Sequence, residues 1–552
     1  MEDNAKLVEK KGKIEINNDK VIPLIIAVIH WIISFFTDIF VFRLNVFNIT
    51  SSKDIFRLLI MKIVSLILYI FLWKFLFSIG KKIKNKDPDL KEKLKIFIPY
   101  FTINIILLIL TWPGIWRWDE FTILYNTSIF KLEYWQHYLT SIFYILSFMI
   151  IPIPSGVIIV QIIVISGIVA YIIANFKKLF NNSKWTYLLF IPFLLLPVLD
   201  TNLNPLRLSI YTYIELALVC QLIFMKKFGK KSKRDFLVLS IILILLSVWR
   251  SEGILFLVLV PILFFFIFKE ELKEIKIRAM YTIFIIAVSV ALIIPQNYAY
   301  KTQYSDRYDV TTYINQLYVV CLNEFKENPD SEQLKIIGNV INYSELFRFS
   351  RGIYANNYGL VYKTTATAED YESMKKAYYE LLKKYPLEVV KERFDIFLKT
   401  TGFVNDYNVH VDDTRAIFTR NANNALKLFR TYYDTTQPIN LELRNSVISF
   451  LECFDGAHTN WAFHIFYNVV PSMIILAIGI IVCLIKKKWA LFFTLGVILA
   501  KVFAIILTAP DCFFMYYLPA YLVGAFLLWL FIVQCIVNRQ NKNKKTIIHK
   551  CN

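Results

Sequence analysis

FRLLIMKIVSLILYIFLWKFLFSIGKKIKNKDPDLKEKLK, residues 56–95, is an apolar run that breaks off at a lysine-rich stretch. A bilayer crossing takes roughly 20 apolar residues, and 56–79 supplies them. Residues 80–95 then carry seven Lys against three acids, as short cytoplasmic loops do. The same alternation runs along most of the chain. Candidate spans are 21–41, 56–79, 96–112, 155–176, 185–200, 207–225, 235–249, 252–268, 277–295, 463–485, 489–508 and 513–537. A further apolar segment, 138–151, is shorter.

Composition agrees. Of 552 residues, 57% are hydrophobic and 19% charged, against about 25% charged in an ordinary soluble protein. The expected fold is an all-α polytopic membrane protein with about 12 spanning helices, one outer-leaflet or juxtamembrane helix and a mainly helical extracytoplasmic domain. The net charge of +20 does not point to nucleic acid, because the basic residues crowd into short loops and no zinc-finger spacing or phosphate-cradling Gly-rich loop accompanies them. The seven cysteines are scattered; only Cys321 and Cys453 fall in the large hydrophilic segment, so at most one disulfide is expected there. The first apolar stretch has no small-residue cleavage site and reads as a retained helix.

Lysines set the orientation. Residues 226–234 hold six basic residues and no acid, Lys486 to Lys488 follow a span, and the tail from Arg539 to Lys550 is basic. Placing these inside gives a multi-pass cell-membrane protein with both termini cytoplasmic. The expected division is a tail at 1–20, a membrane core at 21–295 with an outer loop at 112–137, an external helical domain at 296–462, closing spans at 463–537 and a basic tail at 538–552. Only one full crossing fits between the outer loop and Lys177 and Lys178, so 138–151 is expected in or along the outer half of the membrane. Short outer turns are expected at 201–206, 250–252 and 509–512. Within the external domain, 367–384 and 387–399 carry helical patterns separated by Pro386.

The chemistry-bearing residues gather on the outer side. Asp119 and Glu120 follow a membrane helix amid Trp112, Trp116, Trp118 and Phe121. An acid among apolar groups is costly unless paired or solvated, and such surroundings raise its pKa or suit it to a substrate hydroxyl or a cation. The plainer alternative is an interfacial tryptophan belt with both acids facing water. Neighbouring carboxylates are not expected to face the same way, so one is free for substrate while the other orients the loop. Arg117, Arg207 and Arg250 reach the same face, with Glu252 beside Arg250 and with Gln136 and His137 closing the loop. Three guanidiniums there suit a phosphate or diphosphate; each also suits a local acid. Tyr516 belongs to an aromatic outer rim. His410 with Asp412 and Asp413 reads as a solvated turn, and His458 and His464 stand without supporting ligands.

A leading pair of spans, then Trp112-Pro113-Gly114 followed by Asp119-Glu120, then Arg250-Ser251-Glu252-Gly253 and a closing Ala509-Pro510-Asp511…Tyr516-Tyr517-Leu518-Pro519-Ala520-Tyr521, resembles the GT-C superfamily of membrane glycosyltransferases in an uncharacterised bacterial branch. The resemblance implies transfer of a sugar from a polyprenyl-phosphate carrier to an extracytoplasmic glycan, lipid or protein, within a cell membrane whose lipids are its partners. An acid of the first outer loop then acts as base or metal ligand, which falls on Asp119 and Glu120, and a divalent cation is an optional cofactor. Many members carry His-Pro after that loop, where this chain has Gln136-His137-Tyr138. A flippase for lipid-linked glycans is the rival from another class; it predicts inverted repeats, which are absent, though Lys62, Lys74, Glu215 and Lys501 lie in apolar runs. Glu215 and Lys501 instead suit a pair across helices. A glycan polymerase or ligase is the third reading, with Arg348, Arg351 or Arg415 as its essential groups.

Overall fold

The computed structural model describes residues 18–134, 136–229, 232–303, 310, 313–348, 359–401, 432–455, 458–509 and 512–551. These are overwhelmingly helical; the one sheet among them is a hairpin pairing Phe454–Asp455 with His458–Thr459. Among the described residues, nine helices are long and apolar enough to cross a membrane, ten if a bent pair counts as one span. That architecture fits a multi-pass membrane protein.

The difference from twelve lies in three segments. Residues 184–202 form a 3-10 stretch, Lys184–Leu194, and a helix, Leu196–Asn202, bent by 70° between them. Pro192 and Pro197 deprive this stretch of two backbone donors, so a straight α-helix does not form. Residues 251–267 break into a 3-10 turn, a short α-helix ending at Pro261 and a π-helical turn. Lys233–Val248 is regular but only 16 residues long. The last helix, Leu518–Cys551, runs on without a break into the stretch expected to be a separate tail.

The helices differ in how much of their surface the chain itself covers. Arg207–Lys227 is apolar and buried nearly all round, so it forms the hub. Ser52–Lys84 leaves Ile63, Ile67, Phe71 and Phe75 bare at four-residue spacing, an apolar stripe suited to lipid. Inside the bundle, Asn202 donates to Tyr100 Oη at 2.9 Å and to Asn104 Oδ1 at 2.8 Å, while Tyr213 Oη donates to Asn202 Oδ1 at 2.9 Å. Segment 201–206, expected as an outer turn, does turn the chain after Leu196–Asn202, and all its residues are buried. Its backbone is satisfied from the bundle: Gln161 donates to the carbonyls of Asn202 and Asn204.

The ends of the bundle can be told apart by their contacts. Lys177 pairs with Glu92 and Lys178 with Asp89, which puts the lysine-rich loop 80–95 beside the end of Gly156–Leu179. At the opposite end lie the loop 112–137, the turn at 250 and the helices of 314–451. Helix Tyr138–Ile150, 13 residues long, starts there, and near its finish the Met149 carbonyl accepts from Tyr69 Oη at 2.7 Å, midway along Ser52–Lys84. Tyr138 N donates to Gln296 Oε1 at its start, and just past its finish Ser155 Oγ donates to the carbonyl of Pro113. At 1.5 Å per residue it is about 20 Å long, short of a crossing.

The helices after 313 pack on one another around Leu317, Val320, Ile337, Met374 and Tyr378. Thr367 and Asp370 cap Ala368–Lys384 reciprocally, and Pro386 opens the next helix, Pro386–Thr400. Two bonds dock this unit on the end of Trp489–Thr508: Gln316 Nε2 to Leu507 O and Arg393 Nη1 to Ala509 O, both 2.8 Å. Cys321 and Cys453 are buried and unbridged.

Candidate functional site

The loop that carries the acids is fixed from three directions. Helix Pro88–Leu110 ends at Thr111, and a cis Trp112-Pro113 bond and Gly114 turn the chain. Gly114 has φ +102°, a conformation in which any side-chain-bearing residue is strained. Arg444, fully buried in helix Leu441–Leu451, donates to the carbonyls of Thr111 and Trp112 at 3.2 Å and of Gly114 at 3.0 Å. Trp112 Nε1 donates to Thr435 O at 2.8 Å, and Leu203 O accepts from Ile115 N at 3.0 Å. Trp116 is enclosed, stacked on Phe121 and edge-on to Tyr144. It is a core residue here and not part of a belt; the Trp118 side chain lies outside the described part of the structure.

Asp119 and Glu120 occupy the first turn of helix Trp118–Thr127, where the N-terminal dipole favours negative charge. Asp119 is half-buried, whereas Glu120 is completely enclosed. The amide of Gln136 reaches both, 3.1 Å from Asp119 Oδ2 and 3.4 Å from Glu120 Oε1. The two carboxyl groups therefore converge on one donor, against the expectation from their adjacency; the first helical turn and the longer Glu side chain let them meet. Glu120 Oε2 has no hydrogen-bond partner. Burial, and then the neighbouring Asp119, pushes the Glu120 carboxyl up to about 8, so near neutrality it holds a proton much of the time.

Gln136 also joins this pair to Arg207, whose Nη1 donates to the Gln136 carbonyl at 2.8 Å and to Trp249 O at 3.3 Å. His137, the next residue, sits at φ +69° and caps helix Tyr138–Ile150 by accepting from Leu139 N on Nδ1 at 3.2 Å. Burial, and then Arg207, drives its pKa down to about 3. The imidazole is thus neutral with its proton on Nε2, a buried donor with no partner.

The arginines are each engaged separately. Arg117 lies between Asp200 at 3.7 Å and Glu452 at 3.9 Å, lining a small crevice with Asn204, Tyr467 and Phe513. That crevice is not lined by Asp119, His137 or Arg250. Arg250 pairs with Glu252, and its guanidinium stands 5.9 Å from the Tyr211 ring centre. Tyr516, half-buried in the turn Phe514–Tyr517, is close enough for its charge to bear on Arg250. Also near the Tyr211 ring, Lys501 and Glu215 form a fully buried ion pair between two spanning helices. Lys62 is likewise paired, with Asp38 at 2.8 Å.

Asp119, Glu120, His137 and Arg207 are thus brought together around Gln136, Arg250 and Glu252 adjoin them through Trp249, and Arg117 turns to the other side. Arg348 is exposed and pairs with Glu345 at 3.4 Å, while His410, Asp412, Asp413, Arg351, Arg415 and Asp511 lie outside the described residues. Sequence reasoning missed Arg444, Glu452 and Asn204. A polar run, Asp200 to Asn204, inside an apolar stretch was a usable sign for Asn204; Arg444 gave none, since its helix reads as an ordinary amphipathic one. Among the described residues no three His, Cys, Asp or Glu side chains converge. The chain matches no family model, no curated protein and no solved structure.

Proposed function

We propose that this protein is a membrane glycosyltransferase that moves a sugar from a polyprenyl-phosphate carrier to a hydroxyl acceptor, with the loop-bearing end of the bundle facing out of the cytoplasm. The observation that carries the reading is the Gln136 bridge: its amide holds Asp119 and Glu120, and its carbonyl holds Arg207. A carboxylate on the loop and a guanidinium at the start of Arg207–Lys227, joined through Gln136 beside a lipid-facing bundle, suit a substrate with a sugar at one end and a lipid phosphate at the other.

In this scheme Asp119, the half-buried acid, takes the proton of the acceptor hydroxyl. The acceptor oxygen attacks the anomeric carbon, the sugar's bond to the phosphate oxygen breaks, and the carrier phosphate leaves as an anion. The Nε2 proton of His137 and the charge of Arg207 meet that anion. Glu120, largely protonated behind Asp119, keeps a second full charge out of the site.

The test is purified protein with a polyprenyl-phosphate sugar and a hydroxyl acceptor. Asp119→Asn is expected to abolish transfer while preserving yield and thermal midpoint; undiminished transfer would remove the assignment. The buried Lys501–Glu215 pair favours a transporter as the second reading, because intramembrane charges commonly mark transport paths. Carrier moved across a vesicle bilayer with its sugar bond intact would establish that reading instead.

A further inference from the structure

Helix Pro386–Thr400 sits at the end of the bundle and leaves one apolar face bare. Arg393 Nη1 donates at 2.8 Å to the carbonyl of Ala509, the residue after Trp489–Thr508, and the Phe397 ring centre stands 5.7 Å from that of Tyr517. At about 100° per residue, four surfaces follow one another round this helix. Val389 packs in the core of the helices after 313. Arg393 and Phe397 come next and meet the bundle. Val390, Phe394 and Leu387 follow, 61%, 57% and 72% exposed. Lys391, Asp395, Glu388 and Lys399 close the circle, with Lys391 paired to Glu388 at 2.7 Å and Lys399 to Asp395 at 3.6 Å. The bare arc therefore lies between the side that touches the bundle and the side that carries the charges.

We propose that this helix lies along the membrane surface, with Leu387, Val390 and Phe394 seated among the lipid chains of the adjoining leaflet. Three observations choose lipid as the occupant. The helix is held at the depth where a spanning helix ends, which is where lipid chains give way to headgroups. In the last two turns of that span Phe503 and Leu507 are exposed as well, so the apolar surface that the bundle turns to lipid reaches this level. Round the helix itself, an apolar arc runs directly into a charged one, the pattern of helices that lie in an interface. The charged arc sets two lysines against two acids, so the attachment is apolar and calls for no anionic lipid. It fastens the helices after 313 to the bilayer as well as to the bundle, and it does not rest on the glycosyltransferase reading.

The experiment is electron paramagnetic resonance on the full chain in phosphatidylcholine nanodiscs, with one nitroxide at a time in a Cys535→Ser, Cys551→Ser background. Labels are placed through Val390→Cys and Phe394→Cys, with Leu507→Cys as the lipid reference and Glu372→Cys, on the exposed side of Ala368–Lys384, as the water reference. Dissolved oxygen concentrates among lipid chains, and a nickel chelate stays in water. At 390 and 394 the ratio of oxygen to nickel accessibility is expected to match that at 507 and to exceed that at 372 several-fold. Both positions are exposed, and either label alone decides the matter should the other disturb the fold. Nickel reaching them as it reaches 372 puts the face in water and overturns the proposal. Exclusion of both reagents overturns it too, because protein then covers the face, whether from this chain or from a second copy.

Discussion

Arg444 Nη2 donates to the carbonyl of Gly114 at 3.0 Å, a bond that joins helix Leu441–Leu451 to the turn from which the acidic loop departs. The same side chain holds the carbonyls of Thr111 and Trp112, so three carbonyls within four residues depend on one guanidinium. The site is therefore assembled jointly by the membrane core and the segment that follows it.

Replacing this guanidinium gives the first prediction. Arg444→Met keeps the length and the apolar stem but removes every donor, leaving buried carbonyls unmatched. Hydrogen bonds from charged groups contribute about 1.5–3 kcal/mol each, and shared loss brings the total to about 3–5 kcal/mol. Thermal midpoint and transfer activity are both expected to fall. Asp119→Asn separates the two readouts, since it is expected to lower transfer alone. An Arg444→Met protein with the parent's midpoint would show that the loop is held without it.

Glu120 sets a pH dependence whose sign follows from its burial. In the unfolded chain this carboxyl titrates near 4.5, and in the folded protein at about 8. Between those values the folded state keeps a proton that the unfolded state has released. The contribution is fully present below 4.5 and is lost as pH rises through 8, at about 1.4 kcal/mol per pH unit across the window. Glu120→Gln carries no titrating group and is expected to flatten that part of the curve. Thermal midpoints of parent and variant, taken from below 4.5 to above 8, decide it: parallel curves rule this origin out.

What the sequence yields, and what it hides, divides along a physical line. The long spans are legible because apolarity over some 20 residues is a local property, and Ala368–Lys384 is legible because its cap and its periodicity are local too. The bend within 184–202 was hinted at by Pro192 and Pro197, but its 70° depends on the burial of Asn202 against Tyr100 and Asn104, nearly a hundred residues earlier. Of the site, the acids and Gln136 could be chosen from one short loop. The separation of Arg117 from Arg207 and Arg250 could not, because Asp200 and Glu452, which hold it, come from elements distant in the chain.

Lys501 and Glu215 allow the two functional readings to be set against each other. The pair is fully buried between Trp489–Thr508 and Arg207–Lys227, with Lys501 and Arg250 both near the Tyr211 ring. Removing one partner strands a charge in an apolar interior, which costs about 3–5 kcal/mol, whereas replacing both by apolar groups of similar volume is close to neutral. Lys501→Met and Glu215→Leu are each expected to lower the thermal midpoint sharply, and the double variant to recover most of the loss. In the glycosyltransferase scheme these residues hold the scaffold and touch no substrate. The recovered double variant is then expected to retain transfer within a few-fold of the parent. Stability that recovers while function stays lost would place this pair in the working cycle itself and favour transport.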